Sequence, residues 1–139
     1  MAVNNPYKQY KKTQIDTANQ GKLIVLLYDG AIKHINRALE LMPQKKIEEI
    51  HNNIIKAQDI VSELMISLNM DAGEIASKLL SIYLYMNKKL MEANISKNEE
   101  PLVEVRKYLL ELKSAWEEVS KKNPSDPSNS ETGGINIAT

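Results

Sequence analysis

Residues 45–70 of the chain, KKIEEIHNNIIKAQDIVSELMISLNM, decide its fold. Apolar side chains recur there in a strict alternation of three- and four-residue steps, at Ile47, Ile50, Ile54, Ala57, Val61, Leu64 and Leu68. This period keeps one face of an α-helix apolar along its length, whereas a half-buried strand would need a period of two. Such a face is typical of a helix that packs at a shallow angle against its neighbours. The stretch therefore predicts a long amphipathic helix.

Three further stretches have the same periodicity. The four predicted helices span residues 19–42, 45–70, 72–95 and 100–121. Asn19 is a suitable N-cap for the first helix, and Pro43 would end it. Asp71 and Glu74 have the spacing of a capping box and would open the third helix. The inner faces expected for the other helices are Ile24, Leu27, Ala31, Ile35, Ala38 and Met42; Ile75, Leu79, Ile82, Met86, Leu90 and Ala93; and Leu102, Val105, Leu109, Leu112, Trp116 and Val119.

These helices predict an all-α protein. Four long helices joined by short connections place successive neighbours antiparallel, so we expect an up-down-up-down four-helix bundle over residues 19–122. The chain has no Phe and one Trp, so its core must consist mainly of aliphatic side chains and Met. Residues 1–18 would form an N-terminal extension. Residues 123–139, NPSDPSNSETGGINIAT, have a linker-like composition that predicts a disordered, flexible tail.

Composition excludes several classes of function. Lys plus Arg and Asp plus Glu both number 18, so the basic surplus of a nucleic-acid-binding protein is absent. The chain has no Cys, which fits a reducing compartment and excludes disulfides. Its longest apolar run, Leu23 to Tyr28, is far shorter than the roughly 20 residues that span a bilayer. The first residues also lack a signal-peptide core. We therefore expect a cytoplasmic protein without membrane insertion.

The sequence offers little for catalysis or metal binding. Di-iron bundles need a Glu-x-x-His step on each of two helices. Glu48 and His51 form one such step, but His34 is preceded at that distance by Ala31. No phosphate-binding loop, zinc-protease motif or nucleophile elbow occurs. We expect no enzyme activity, no catalytic residues, no cofactor and no metal site.

The helices carry more apolar residues than one inner face requires. A helix in a small bundle needs about three apolar residues in seven. The surplus positions are Leu23, Val25, Leu26 and Tyr28; Ile55, Ile60, Met65 and Ile66; and Leu80, Tyr83, Leu84, Tyr85 and Met91. Wide inner faces would account for some of them. Ile60 and Met65 cannot both join Val61 on one narrow face, and contiguous exposed apolar surface usually marks a partner site.

The stretch TANQGKLIVLLYDGAI, residues 17–32, resembles the first-helix signature of the flagellin export chaperone family, FliS. The resemblance covers about residues 5–120. Its other matching positions are Tyr7, Tyr10, Leu68-Asn69, Gly73-Glu74-Ile75-Ala76, Leu79-Leu80, Tyr83, Tyr85-Met86, Leu90, Ala93-Asn94, Glu104-Val105, Leu112 and Ala115-Trp116. The chain departs from the family pattern at Asn19-Gln20-Gly21, where Ser-Pro-Glu is common, and at Leu84, where an acidic residue is common.

The resemblance implies a bundle that binds the C-terminal segment of flagellin one-to-one, prevents its polymerisation, and engages an export-gate component of the flagellar type III apparatus when loaded. It also implies that the N-terminal segment occupies part of the flagellin site in the free chaperone. The expected flagellin-binding residues are Tyr7, Tyr10, Ile15, Leu23, Tyr28, Ile55, Met65, Leu80, Leu84 and Met91. The alternative is a bundle that self-associates through its surplus apolar surface, for example as a homodimer when free.

Overall fold

The computed structural model describes residues 20–122. The helices are α1 (Gln20–Leu41), α2 (Ile47–Ser67), α3 (Glu74–Ser96) and α4 (Glu99–Lys122). One short 3-10 helix, Met70–Ala72, lies between α2 and α3. The predicted all-α four-helix bundle is confirmed, and the helix ends within the described range differ from the expected ones by one to three residues. The predicted N-cap, Asn19, lies outside the described residues.

The four helices form a closed ring of neighbours. α1 packs against α2 and α4, and α3 packs against the same two helices from the opposite side. Short connections make each neighbouring pair antiparallel. Of the four interfaces, the one between α3 and α4 is the least extensive. This is therefore where the bundle is most open.

The start of α3 differs from the prediction. The side chain of Asn69 accepts a hydrogen bond from the backbone N–H of Asp71 at 3.0 Å, which opens the 3-10 turn. Gly73 then occupies the N-cap position of α3 with a φ of 82°, and no side chain caps the helix. The predicted capping box of Asp71 and Glu74 is wrong. The extra turn places Asp71 before the helix, and the left-handed backbone at its start favours Gly.

Asn98 takes part in two helix caps, the C-terminal cap of α3 and the N-terminal cap of α4. Lys97 adopts a left-handed conformation with a φ of 52°, and the Asn98 N–H donates to the carbonyl of Ala93 at 3.3 Å. This backbone hydrogen bond is the one that closes a Schellman motif. The Asn98 side chain in turn accepts from the N–H of Glu100 at 3.1 Å, as an N-cap does. Pro101 fits within the first turn of α4, where its missing N–H costs no helical hydrogen bond.

The core largely follows the predicted inner faces, with three exceptions. Ile47, Ile75 and Ile82 were expected inside but are exposed. In α3, the buried positions include Ala76 and Tyr83, each one residue further along than the expected Ile75 and Ile82. The expected face was therefore rotated by about one position at these points. This rotation places Tyr83, the largest buried side chain of α3, inside the bundle, where its hydroxyl meets that of Tyr28.

A pair of phenols joins α1 to α3 through the middle of the bundle. The hydroxyl groups of Tyr28 and Tyr83 lie 2.7 Å apart and both rings are buried. Burial raises the pKa of Tyr83 to about 12 and raises that of Tyr28 further still. One hydroxyl donates to the other, so this hydrogen bond gives both oxygens a partner in an apolar interior, where a missing partner would cost about 1–3 kcal/mol.

These pKa values predict a loss of stability at alkaline pH. A phenol titrates near 10 in the unfolded chain, whereas burial raises the pKa of both Tyr28 and Tyr83 in the fold, so the unfolded state releases its protons first. The stabilising contribution is complete below pH 10. Above pH 10 the free energy of unfolding should fall by about 1.4 kcal/mol per pH unit for each of the two phenols.

Urea unfolding between pH 8 and 11.5 would measure this slope. The double substitution Tyr28→Phe/Tyr83→Phe removes both groups and should flatten the curve. An identical slope in that variant would show that other groups cause the alkaline unfolding.

A close contact between α1 and α2 occurs at Gly30. A Cβ added there would lie 3.1 Å from Cδ1 of Ile60, which is fully buried. We expect Gly30→Ala to lower the free energy of unfolding by roughly 1 kcal/mol, because overpacking exceeds the gain in helix propensity. In an Ile60→Val background the contacting methyl is gone, so the same change should stabilise by up to about 1 kcal/mol. Chemical denaturation of the four proteins would test this coupling, and strict additivity would contradict it.

Candidate functional site

The most open interface forms an apolar groove between α3 and α4. Ile82 and Tyr85 from α3 face Tyr108 and Leu112 from α4, and Ser81 and Glu111 complete the lining. The open space between these side chains is about 620 Å³, within the range of ligand-binding pockets. We call it the α3–α4 groove. Its walls offer mainly aliphatic and aromatic surface, so it suits an apolar side chain better than a charged one.

A polar network fixes the aromatic end of this groove. Tyr85 donates to Oε2 of Glu104 at 2.7 Å, and Tyr108 donates to the same oxygen at 3.3 Å. The two rings meet edge to face with centroids 6.1 Å apart. Lys89 lies 5.5 Å from the Tyr85 ring centroid and 3.9 Å from Glu104.

These contacts affect both the charges and the shape of the site. The hydrogen bond to Glu104 raises the pKa of Tyr85, and the negative charge of Glu104 raises that of Tyr108. Both hydroxyl groups therefore stay protonated near neutral pH. Both rings line the groove while their hydroxyl groups donate to Glu104. This wall is pre-formed, which lowers the entropy cost of binding.

A second apolar surface lies on the other side of α3. His51 Nδ1 and Asn94 Nδ2 lie 2.9 Å apart, and Asn87 donates to the Ser62 hydroxyl at 3.2 Å. These two contacts fix the register of the antiparallel α2–α3 pair. Positions three or four residues from them share the same flank. The apolar residues on that flank, which we call the α2–α3 face, are Ile55, Ile66, Leu80, Leu84 and Met91.

This face contains four of the residues expected to bind a partner. Ile55, Leu84 and Met91 are exposed, with 54% of Leu84 accessible, and Leu80 is half-buried. Ile66, which the sequence marked as surplus, extends the patch and is exposed as well. Contiguous apolar surface of this kind usually marks a partner site.

Three other predicted site residues lie inward. Leu23 and Tyr28 are fully buried in the core, and Met65 is partly buried and packs against it. Ile60, another surplus position, is also buried, so part of the apolar surplus on α2 reflects a wide inner face. Tyr7, Tyr10 and Ile15 lie outside the described residues.

The sequence analysis missed the α3–α4 groove as a site. Ile82 and Leu112 were assigned to the core. Tyr85 was noted as surplus and as a position matching the family but not as a binding residue, and Tyr108 was not singled out. The three-residue step from Ile82 to Tyr85 and the four-residue step from Tyr108 to Leu112 place each pair on one flank. That spacing could have revealed two facing walls, but only the packing shows that they face each other.

The outer side of α1 carries a different kind of cavity. It is about 670 Å³ in size and is lined mostly by polar and charged side chains, namely Asp29, Lys33, His34, Asn36, Arg37, Glu40 and Asn53, with Ile32. Nδ1 of His34 and Oδ1 of Asn53 form a hydrogen bond of 3.0 Å.

Between residues 20 and 122, no cluster of His, Asp or Glu could hold a metal ion. No helix in that range is long and apolar enough to cross a membrane.

Known proteins resemble this chain over nearly its whole length. The family model described as "Flagellar protein FliS" matches residues 3–123. A protein of Bacillus subtilis strain 168, named "Flagellar secretion chaperone FliS", is 34% identical over 135 residues, which is 97% of this chain and 99% of that protein.

Similar proteins occur in other bacteria. "Flagellar secretion chaperone FliSB" of Pseudomonas aeruginosa is 36% identical over 118 residues, covering 81% of this chain and 94% of the relative. The "Flagellar secretion chaperone FliS" of Salmonella typhimurium is 29% identical over 121 residues, covering 83% and 90%. The residues matched by the family model, 3–123, include all four helices and both apolar surfaces around α3.

Proposed function

Because the chain belongs to the FliS family of flagellar proteins, we propose that it is a cytoplasmic export chaperone that binds the C-terminal segment of flagellin. It binds one client molecule per bundle, keeps that client from polymerising, and presents it to an export-gate component of the flagellar type III apparatus. The family is one of secretion chaperones, so the chain is not an enzyme.

The observation that carries this proposal is the pair of apolar surfaces on either side of α3. The α3–α4 groove and the α2–α3 face together leave aliphatic and aromatic side chains outside a core that is otherwise complete. An amphipathic helix recognises such surfaces through apolar residues three or four positions apart. A client with more than one helical segment could use both surfaces, with α3 between them.

The energetics favour a client that folds on binding. Such a segment must offset the entropy lost when it becomes ordered, so it needs a large apolar contact. Burying roughly 1,000 Å² yields on the order of 25 kcal/mol gross, most of which ordering and association consume. Apolar surface on both sides of α3 offers a client more contact area than one narrow groove would. Binding needs no ATP, since the client is only masked and later released.

The direct test is calorimetric titration of the protein with a peptide from the flagellin C-terminus. We expect saturable binding with one peptide per bundle and a negative heat-capacity change from apolar burial. A scrambled peptide of the same composition is the control. If no heat is detected at tens of micromolar, or if the scrambled peptide binds equally, the proposal fails.

Self-association is the competing function, and the exposed α2–α3 face favours it. Two copies joined through that face would form a homodimer of the free protein. Sedimentation velocity across a hundredfold range of concentration distinguishes the two. A chaperone should give one-to-one complexes when peptide is added, whereas a constitutive dimer should keep its stoichiometry and leave the peptide free.

A further inference from the structure

Ile135 and Ile137 stand apart from the rest of the segment that follows α4. From Asn123 to Thr132 that segment contains no large apolar side chain, only Asn, Pro, Ser, Asp, Glu and Thr. Gly133 and Gly134 then precede Ile-Asn-Ile. Two β-branched residues two positions apart favour an extended backbone and project to the same side of it, about 7 Å apart.

We propose that this Ile-x-Ile pair docks in the α3–α4 groove of its own molecule. The groove offers two apolar positions with matching separation on α4. Tyr108 and Leu112 are four residues apart, which is about 6 Å along the helix. Ile82 and Tyr85 on α3 supply the opposite wall.

The length of the connecting segment fits this site. α4 ends at Lys122, and Leu112 and Tyr108 lie ten and fourteen residues before that end, or about 15 and 21 Å along the helix axis. Twelve residues, 123–134, connect Lys122 to Ile135. A polar segment of that length has a root-mean-square span of about 17–21 Å. A tether whose span matches the distance gives the highest local concentration, in the millimolar range.

The α2–α3 face is a poorer target for the same residues. It lies beyond α3 as viewed from α4, so the segment would have to cross α3 to reach it. The α3–α4 groove lies along α4 itself. The position of the groove next to α4 therefore makes it a better target for the Ile-x-Ile pair than the α2–α3 face.

Docking would regulate the site of the proposed function, and this consequence rests on that function. A flagellin segment entering the α3–α4 groove must displace the Ile-x-Ile pair. The contact of two Ile side chains is weak, and the tether gives them a local concentration in the millimolar range. The pair therefore occupies the groove in only part of the molecules and masks it reversibly. Substituting Ser for both Ile residues should therefore tighten client binding by roughly two- to five-fold.

The docking itself can be tested without any client. The chain has no Cys, so Thr139→Cys creates a single site for a nitroxide spin label. Nuclear magnetic resonance would then record the broadening of side-chain signals from Ile82 and Leu112, with Leu84 and Met91 as controls on the α2–α3 face. We expect strong broadening in the groove and weak broadening on that face. The double substitution Ile135→Ser/Ile137→Ser should remove the difference.

Three results would overturn the proposal. The first is equal broadening on both faces, and the second is broadening in the groove that persists in the Ser variant. The third is broadening of unlabelled, isotope-enriched protein by a labelled second copy, which would assign the groove to another molecule. If the broadening is as expected but the Ser variant binds the client with unchanged affinity, that result would support docking and contradict its role in regulating flagellin binding.

Discussion

Replacing Ile82 with Glu is expected to weaken binding of the flagellin C-terminal segment by about 100-fold. Ile82 lies in the wall of the α3–α4 groove with about a third of its surface exposed, 36%. The substitution removes apolar contact with the client, about 1.5 kcal/mol, and places a carboxylate against apolar surface, about 1.5 kcal/mol more. The new charge would also lie in the same groove as Glu111. A loss of about 3 kcal/mol is roughly a hundredfold in Kd.

The matched control for this experiment is Leu26→Glu. Leu26 is 46% exposed on α1, the helix diagonally opposite α3, so its substitution makes a similar chemical change away from both apolar surfaces. Its Kd should stay within about two-fold of the unmodified protein. Both variants should keep the helical far-ultraviolet circular dichroism spectrum. Equal affinity of the two variants would show that the groove is not the client site.

The second large effect is on stability. Tyr83→Ala should lower the free energy of unfolding by about 4–6 kcal/mol. Truncating a buried aromatic side chain costs about 3–5 kcal/mol, because it loses apolar burial and leaves a cavity. The change also removes the 2.7 Å hydrogen bond between the two hydroxyl groups, which adds about 1 kcal/mol.

Tyr85→Ala is the matched control, only two positions away on the same helix. Tyr85 is 38% exposed and Tyr83 only 1%, and the hydrogen bond of Tyr85 is to Glu104 at the surface. We expect Tyr85→Ala to cost no more than about 1 kcal/mol. Urea unfolding followed by circular dichroism at pH 7 would measure both values. If both variants lost stability equally, the assignment of Tyr83 to the core and Tyr85 to the surface would be wrong.

The contrast between Tyr83, Leu84 and Tyr85 illustrates how far the sequence could predict the site. All three were marked as surplus apolar residues, and their residue types do not distinguish them. Successive residues on a helix differ by about 100° in direction, so three in a row must point to three different surroundings. In the structure Tyr83 enters the core, Leu84 lies on the α2–α3 face, and Tyr85 turns toward Glu104 on α4.

Local features were predicted with mixed success. Asn98 lies between the predicted third and fourth helices, residues 72–95 and 100–121, but the predicted capping box before α3 was wrong. Asp71 and Glu74 have the required spacing, yet the chain inserts a 3-10 turn and begins α3 at Gly73. Short polar motifs recur by chance in a charged chain, whereas a seven-residue apolar period sustained over 20 residues does not. The long-range pattern is therefore the stronger predictor.

Helical periodicity was enough to predict four amphipathic helices and the inward side of most of them, because it fixes the direction of each side chain around the axis of its own helix. The packing of the whole bundle sets which helices are neighbours and how closely each pair approaches. The pairing of Tyr28 with Tyr83, the burial of Leu23 and the opening between α3 and α4 all depend on the distances between helices. Those distances are set by how all four helices pack together at once, which the period of any single helix does not contain.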